Sequence, residues 1–173
     1  VFGGNNLSGT IDGSITVNIQ EVGCRPIIIG ELYGGGNQAA YSVYGYKEVT
    51  ENGKKVWKPR TSDSDDGTGP TKPYNDPEVN VKSFTSIGKV FGGGYGNQTR
   101  ITGNVTVTVD KQYGHDAPNI YGDVYGGSGY GDVNSPRVNN VDSDDITTVN
   151  ILEGTISGDI YGGGLGDTIW PIE

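Results

Sequence analysis

Methionine is missing from this chain, and cysteine and histidine occur once each among its 173 residues, as Cys24 and His115. One cysteine excludes an internal disulfide and a zinc site built on several thiolates, and one histidine removes the multi-histidine metal centres as well. Cys24, beside Arg25 and Pro26, reads as a loop thiol. Leucine is scarce, and the apolar residues are mainly Val, Ile and Tyr, side chains that suit a pleated surface better than a helix. Almost no helix is expected. No stretch approaches the roughly 20 apolar residues of a membrane span, and Val1-Phe2-Gly3-Gly4 is no signal peptide. Basic residues are in deficit too: 12 Lys and Arg against 21 Asp and Glu leave a formal charge of −9. That charge repels phosphate backbones and anionic membranes, so nucleic acid is not an expected partner.

What the chain has in excess is glycine. It fills 31 positions, about 18% where an average soluble chain has about 7%, and without the Gly-X-Y period of collagen. The glycines are read as turns. Five segments share an aliphatic, aromatic, Gly-Gly pattern: Val1-Phe2-Gly3-Gly4, Leu32-Tyr33-Gly34-Gly35, Val90-Phe91-Gly92-Gly93, Val124-Tyr125-Gly126-Gly127 and Ile160-Tyr161-Gly162-Gly163. Their aromatic residues are 31, 58, 34 and 36 positions apart, so the long interval reads as one unit carrying an insertion. The four complete copies are preceded by Gly30-Glu31, Gly88-Lys89, Gly122-Asp123 and Gly158-Asp159. Strand alternation then puts Leu32, Val90, Val124 and Ile160 on one face and the charged and aromatic residues on the other. Because the first motif starts at Val1, the chain reads as a piece of a larger protein that begins mid-repeat.

A second strand type lies between the motifs, in Ile15-Thr16-Val17-Asn18-Ile19, Val105-Thr106-Val107-Thr108-Val109 and Thr147-Thr148-Val149-Asn150-Ile151, with Val79-Asn80-Val81-Lys82 as its equivalent in the interrupted unit. These alternate apolar and small polar residues, the mark of a strand with one face buried. Neither strand type buries its apolar face alone, and stacking on neighbouring units solves that problem. The expected fold is all-β, a parallel β-solenoid (β-helix) of roughly 31–36-residue repeats forming one domain over residues 1–173. The alternative is an antiparallel β-sandwich or meander, in which Leu152-Glu153-Gly154-Thr155 is a hairpin turn. Local pattern leaves that choice open, and the recurrence favours the solenoid. Two segments depart from the repeat. One is an insertion at about 38–77, read as an ordered start followed by a flexible polar loop; the other is a shorter polar loop at about 132–145.

The recurring Tyr-Gly-Gly-Gly after Gly-Asp-Val or Gly-Asp-Ile, alternating with Thr-Val-Asn-Ile strands, resembles the glycine-rich repeats of large secreted, adhesin-like surface proteins of gut bacteria. The resemblance covers residues 1–36 and 78–169. It implies an extracellular, cell-surface setting and an adhesive or scaffold role, and it carries over no catalytic or ligand residues.

The residues themselves offer little chemistry. His115 lies in a Gly/Pro-flanked loop with no Gly-x-Ser-x-Gly elbow, so a Ser-His-Asp arrangement is not expected. Glu31, Asp123 and Asp159 occupy equivalent positions, but Lys89 interrupts the row, which suits a mixed-charge exposed face better than an acid/base or metal cluster. Gly126-Gly127-Ser128-Gly129-Tyr130-Gly131-Asp132 and Gly163-Gly164-Leu165-Gly166-Asp167 approach the calcium-binding nonapeptide without matching it, and Asp132, Asp167 and Asn97 read as turn residues. No catalytic residue, metal site or cofactor is expected. The rings at 2, 33, 91, 125 and 161 read as a packing ladder. Tyr41, Tyr44, Tyr46 and Trp57 break the repeat and are the candidate ligand-binding residues.

The expected function is thus a non-catalytic structural or adhesive module of a secreted bacterial surface protein. Its partners would be neighbouring repeats of the parent protein, then host or microbial glycans or proteins. The alternative is a carbohydrate-binding module using the aromatics of the 38–77 insertion, and a polysaccharide-cleaving enzyme ranks third.

Overall fold

The computed structural model describes residues 1–8, 11, 15–21, 25–39, 41–42, 46–59, 71–72, 78–102, 104–133 and 146–166. Every regular element among them is a strand. In chain order these are β1 (Thr16–Gln20), β2 (Ile28–Tyr33), β3 (Tyr41–Ser42), β4 (Tyr46–Glu51), β5 (Lys54–Pro59), β6 (Thr71–Lys72), β7 (Glu78–Ser83) and β8 (Ser86–Phe91). There follow β9 (Arg100–Thr102), β10 (Val105–Val109), β11 (Asn119–Ile120), β12 (Val124–Tyr125), β13 (Asp132–Val133), β14 (Thr147–Ile151), β15 (Thr155–Ile156) and β16 (Ile160–Tyr161).

The alternating strands make one parallel sheet in the order β1-β7-β10-β14. Its register aligns Val17 with Val79, Val107 and Val149, and Ile19 with Val81, Val109 and Ile151. The aromatic-glycine strands make a second parallel sheet in which β8 pairs with β2, β11 and β12, and the last two pair with β15 and β16. Leu32, Val90, Val124 and Ile160 fall in one column, and Tyr33, Phe91, Tyr125 and Tyr161 in the next. A third, short parallel sheet runs β13-β9-β3. The apolar columns of the first two sheets face each other in one core, where Leu32, Val79, Val81, Val90, Val107, Val109 and Val124 are fully buried. Burying each such side chain contributes roughly 1.5–3 kcal/mol.

Two expectations about architecture are corrected here. The described residues close no β-solenoid of regular 31–36-residue repeats; they form open parallel sheets of unequal spacing. Asn18 and Asn80 pair across 62 residues, Asn104 and Ile146 across 42, and Asp123 and Asp159 across 36. The third sheet is built from strands of two or three residues, and β5-β4-β6 is a separate antiparallel sheet. The length of chain from one strand to its neighbour in the sheet is therefore not constant among the described residues. Parallel sheets more often accompany helical crossovers, yet no helix occurs among the described residues. The antiparallel sandwich or meander fares no better, because the sheets carrying the recurring motifs all pair parallel. Leu152 to Thr155 is accordingly no hairpin: β14 and β15 belong to different sheets, and Gly154 (φ 147°) turns the corner between them.

The glycines also have a different duty from the expected one. Among the described glycines only Gly53, Gly114, Gly154 and Gly166 adopt positive φ. Most of the others lie where neighbouring layers approach closely. A Cβ on Gly92 would stand 2.3 Å from the carbonyl oxygen of Gly126, and one on Gly126 would stand 2.5 Å from that of Gly162. The motif is glycine because a side chain there would push the next layer away.

Within the insertion, Asn52 (φ 51°) and Gly53 (φ 74°) close a two-residue hairpin between β4 and β5, a pairing of turn chemistry and register that the sequence reading did not single out. Tyr41 and Ser42 pair with Ile101 and Thr102, so the third sheet reaches into the segment read as departing from the repeat. Asp132, read as a turn residue, stands in β13 opposite Arg100. Asp167 and Cys24 lie outside the described residues, as does most of the 132–145 loop.

Candidate functional site

The recurring aromatic and acidic positions converge on one feature of the second sheet. Parallel register stacks the rings of Phe2, Tyr33, Phe91, Tyr125 and Tyr161 into a continuous column, with centroids 4.9, 4.6, 4.7 and 4.9 Å apart and planes within 3–8° of parallel. Tyr33, Phe91 and Tyr125, in the middle, form a buried cluster of their own.

The charged position two residues before each ring belongs to the same construction. Tyr33 Oη donates to Glu31 Oε2 at 2.9 Å, Tyr125 Oη to Asp123 Oδ2 at 3.0 Å and Tyr161 Oη to Asp159 Oδ2 at 3.3 Å. Where the chain has Lys89 instead of an acid, the ring two residues on is Phe91, which has no hydroxyl to satisfy. Lys89 stands opposite Glu31 in register, and its Nζ lies 3.6 Å from Asp123 Oδ2. Asp123 Oδ1 accepts the backbone N–H of Asp159 at 3.0 Å. That backbone bond, then the Tyr125 hydroxyl and Lys89, hold the Asp123 carboxyl below the usual range against the opposing effect of burial. Burial first, then the bonded carboxylate, raises the Tyr33 hydroxyl and pushes that of Tyr125 up to about 12. At the open end of the column the nearby charge of Asp159 raises Tyr161. Each acid of the row, Glu31, Asp123 and Asp159, thus accepts from the tyrosine two residues on.

A second polar site lies at the corner between the first two sheets. Ser83, buried at the end of β7, accepts the N–H of Glu21 at 2.7 Å and donates to Gln112 Oε1 at 2.6 Å. Glu21 Oε1 accepts from Thr85 Oγ1 at 2.5 Å and from the N–H of Ile27 at 3.1 Å. The Thr85 hydroxyl, then Ile27, lowers the Glu21 carboxyl. Beside this network Glu21, Ser83, Phe84, His115 and Asp116 line a cavity of about 310 Å³. His115 is half-buried in the loop after β10, its backbone N–H bonded to Gln112 O. The Ser83 hydroxyl thus donates to Gln112, and His115 lines the same cavity.

A third feature escaped the sequence reading. Tyr95 and Tyr130 meet edge to face at 5.4 Å, Tyr95 also packs edge-on against Phe2 and Tyr33, and the two tyrosines join Gln38, Gly96 and Asn97 around a shallow cavity of about 300 Å³. The signal was present as a glycine-flanked tyrosine after two of the glycine runs, Gly94-Tyr95-Gly96 and Gly129-Tyr130-Gly131. The extra residue between Tyr125 and Tyr130, compared with Phe91 and Tyr95, hid the equivalence that the bond from Tyr130 N–H to Tyr95 O makes plain.

Of the candidate ligand residues, Tyr44 lies outside the described residues. Tyr41, Tyr46 and Trp57 are described in backbone only, in β3, β4 and β5, with Trp57 opposite Glu48 and Tyr46 opposite Pro59. Among the described residues no group of three or more His, Cys, Asp or Glu side chains is placed to hold a metal ion, and no helix is long and apolar enough to cross a membrane. No family model, curated protein or solved structure matches the chain.

Proposed function

We propose that this chain is a non-catalytic structural module of a secreted bacterial surface protein, a stack of β-layers that serves as a stiff spacer. The observation that carries the reading is the ring column. Five aromatic residues from five separate segments stack at van der Waals contact, and each acid beside a tyrosine is spent on that tyrosine's hydroxyl. Such a sequence invests its most recurrent residues in layer-to-layer rigidity, and the extracellular setting rests on the resemblance of the recurring motif to surface-protein repeats. The test is a turnover screen against a panel of polysaccharides alongside mechanical unfolding of the single chain. No product and high-force unfolding are expected, and sustained turnover abolished by Asp123→Asn or Glu21→Gln would refute the reading.

A second reading, glycan binding, is favoured by the Tyr95 and Tyr130 cavity, where half-exposed rings stand beside the amides of Gln38 and Asn97. Flat aromatic faces flanked by amide donors and acceptors suit a sugar ring and its hydroxyls. Tyr41, Tyr44, Tyr46 and Trp57 of the insertion remain the further candidates for the same role. Calorimetric titration with diverse glycans, repeated on Tyr95→Ala and Tyr130→Ala, decides it: heat that both substitutions remove establishes this site, and no heat from the unaltered chain sinks the reading.

A further inference from the structure

The rings of Phe2, Tyr33, Phe91, Tyr95 and Tyr130 form a branched path rather than a simple ladder, and Tyr33 lies at the branch point. Phe2 stacks on one of its faces at 4.9 Å, Phe91 stacks on the other at 4.6 Å, and Tyr95 meets its edge at 5.5 Å. Tyr95 in turn meets Tyr130 at 5.4 Å. Tyr33 is 2% exposed, whereas Tyr95 and Tyr130 are 36% and 43% exposed. A buried tyrosine is thus connected to solvent through two other tyrosines. Along the column it is bounded on both faces by phenylalanine, whose ring, lacking a hydroxyl, is far harder to oxidise than a phenol.

The hydroxyl of Tyr33 completes the arrangement. It donates to Glu31 Oε2 at 2.9 Å, and Glu31 itself is exposed. Removing one electron from a phenol makes its hydroxyl a strong acid, and a carboxylate already bonded to that hydroxyl accepts the proton with little movement of either group. The pair then passes from one negative charge to none, and no positive charge is left on a ring buried among apolar neighbours. Tyr125 also has a bonded carboxylate, but Asp123 is the poorer proton acceptor: its Oδ1 accepts the Asp159 N–H at 3.0 Å, and its Oδ2 lies 3.6 Å from Lys89 Nζ. Tyr161 is 43% exposed and holds its carboxylate by a longer bond, at 3.3 Å. Phe91 stands between Tyr33 and both of these tyrosines.

We propose that Tyr33 and Glu31 form a redox site that holds one oxidising equivalent, taken from a diffusible one-electron oxidant such as an oxygen-centred radical that reaches Tyr95 or Tyr130. The oxidant gains an electron from the exposed ring, and Tyr95 recovers that electron from Tyr33. The proton of the Tyr33 hydroxyl passes to Glu31 Oε2 along the existing hydrogen bond. The products are the reduced oxidant, a neutral tyrosyl radical at Tyr33 and a protonated Glu31, and re-reduction reverses both transfers. The rings Phe2 and Phe91 keep the radical from migrating along the column, and burial keeps it from meeting a second radical. This activity stands apart from the structural-module reading, which concerns stiffness and turnover, so either fails without the other.

The experiment uses the full chain, with flash-oxidised tris(bipyridine)ruthenium as the oxidant and persulfate as the terminal electron acceptor, frozen at intervals and read by electron paramagnetic resonance. A tyrosyl signal is expected whose lifetime falls about tenfold or more in Tyr33→Phe, since a hydrogen bond to a charged acceptor is worth at least that factor. Tyr33→Phe keeps the column, because Phe2 and Phe91 already occupy equivalent positions in it. Glu31→Gln keeps the shape and an acceptor oxygen but loses the proton affinity, so it should shorten the lifetime as much, whereas a merely structural acceptor would be replaced by the amide without effect. Tyr95→Phe should slow the appearance of the long-lived signal and leave its decay unchanged, and Tyr161→Phe, at the far end of the column, should change neither. A lifetime indifferent to Tyr33→Phe overturns the proposal, as does one that survives Glu31→Gln or that Tyr161→Phe shortens equally. So does prompt dityrosine cross-linking of chains in place of a persistent signal.

Discussion

Truncating Phe91 tests the ring column at its centre. Phe91 is 1% exposed and lies between Tyr33 at 4.6 Å and Tyr125 at 4.7 Å, both within 6° of parallel. Phe91→Ala removes the ring and leaves a flat slot that cannot close. The strands on either side are held at their spacing by Leu32, Val90 and Val124 in register and by the backbone bonds from Gly34 to Phe91 and Gly92 to Tyr125. A truncation with little relaxation falls in the range of about 3–5 kcal/mol, a large part of the roughly 5–15 kcal/mol that stabilises a typical domain. Phe2 provides the internal comparison. It has one stacked neighbour, Tyr33 at 4.9 Å, and is 41% exposed, so Phe2→Ala should cost about 1–2 kcal/mol from partial burial and one stacking contact. Urea unfolding followed by circular dichroism measures both, read as midpoint shifts at unchanged slope. Equal losses for the two variants, or a loss below about 1.5 kcal/mol for Phe91→Ala, would mean that the column is a by-product of strand register rather than a source of stability.

Three further outcomes follow from the same geometry. Gly92→Ala should destabilise by about 1–3 kcal/mol because its Cβ meets a fixed carbonyl, whereas Gly30→Ala, with open space around it, should be neutral or stabilising by up to about 1 kcal/mol through the unfolded chain; paired thermal melts give the signs. Ser83→Ala should cost about 1–3 kcal/mol, since it strips a buried hydroxyl from both Glu21 N–H and Gln112 Oε1, and restoration by Ser83→Thr would be compatible only with the hydroxyl as the cause. Stability should also fall at both pH extremes. The depressed carboxyls of Asp123 and Glu21 contribute above the ordinary carboxylate pKa, and that contribution is lost as pH falls through their lowered folded values. The raised Tyr125 contributes fully below the ordinary tyrosine pKa of about 10 and loses its contribution as pH climbs to about 12. Tyr125→Phe, which cannot ionise, should therefore unfold at a higher pH than the parent, and an unchanged alkaline midpoint would show that the Tyr125 hydroxyl does not govern that limb.

Much of the local structure was legible because a strand writes its environment with period two. The alternation in Ile15 to Ile19, Val105 to Val109 and Thr147 to Ile151 marked β1, β10 and β14 within a residue or so. The aliphatic, aromatic, Gly-Gly motif marked β2, β8, β12 and β16 and put aliphatic and aromatic residues on opposite faces. The Asn52-Gly53 hairpin was equally legible and went unread, within a segment taken only as an ordered start before a polar loop.

By itself, then, the sequence determined which residues form the recurring strands and which face of each is apolar, since these depend on side-chain order and backbone pleat. Tertiary structure alone decided the rest. Parallel register across 36 to 62 residues turned separate tyrosines and acids into one bonded column, and it gave the glycines their purpose. Whether a glycine is a turn or a clearance depends on what lies opposite it, and the atom opposite Gly92 belongs to Gly126, a neighbour that only the folded stack brings within 2.3 Å.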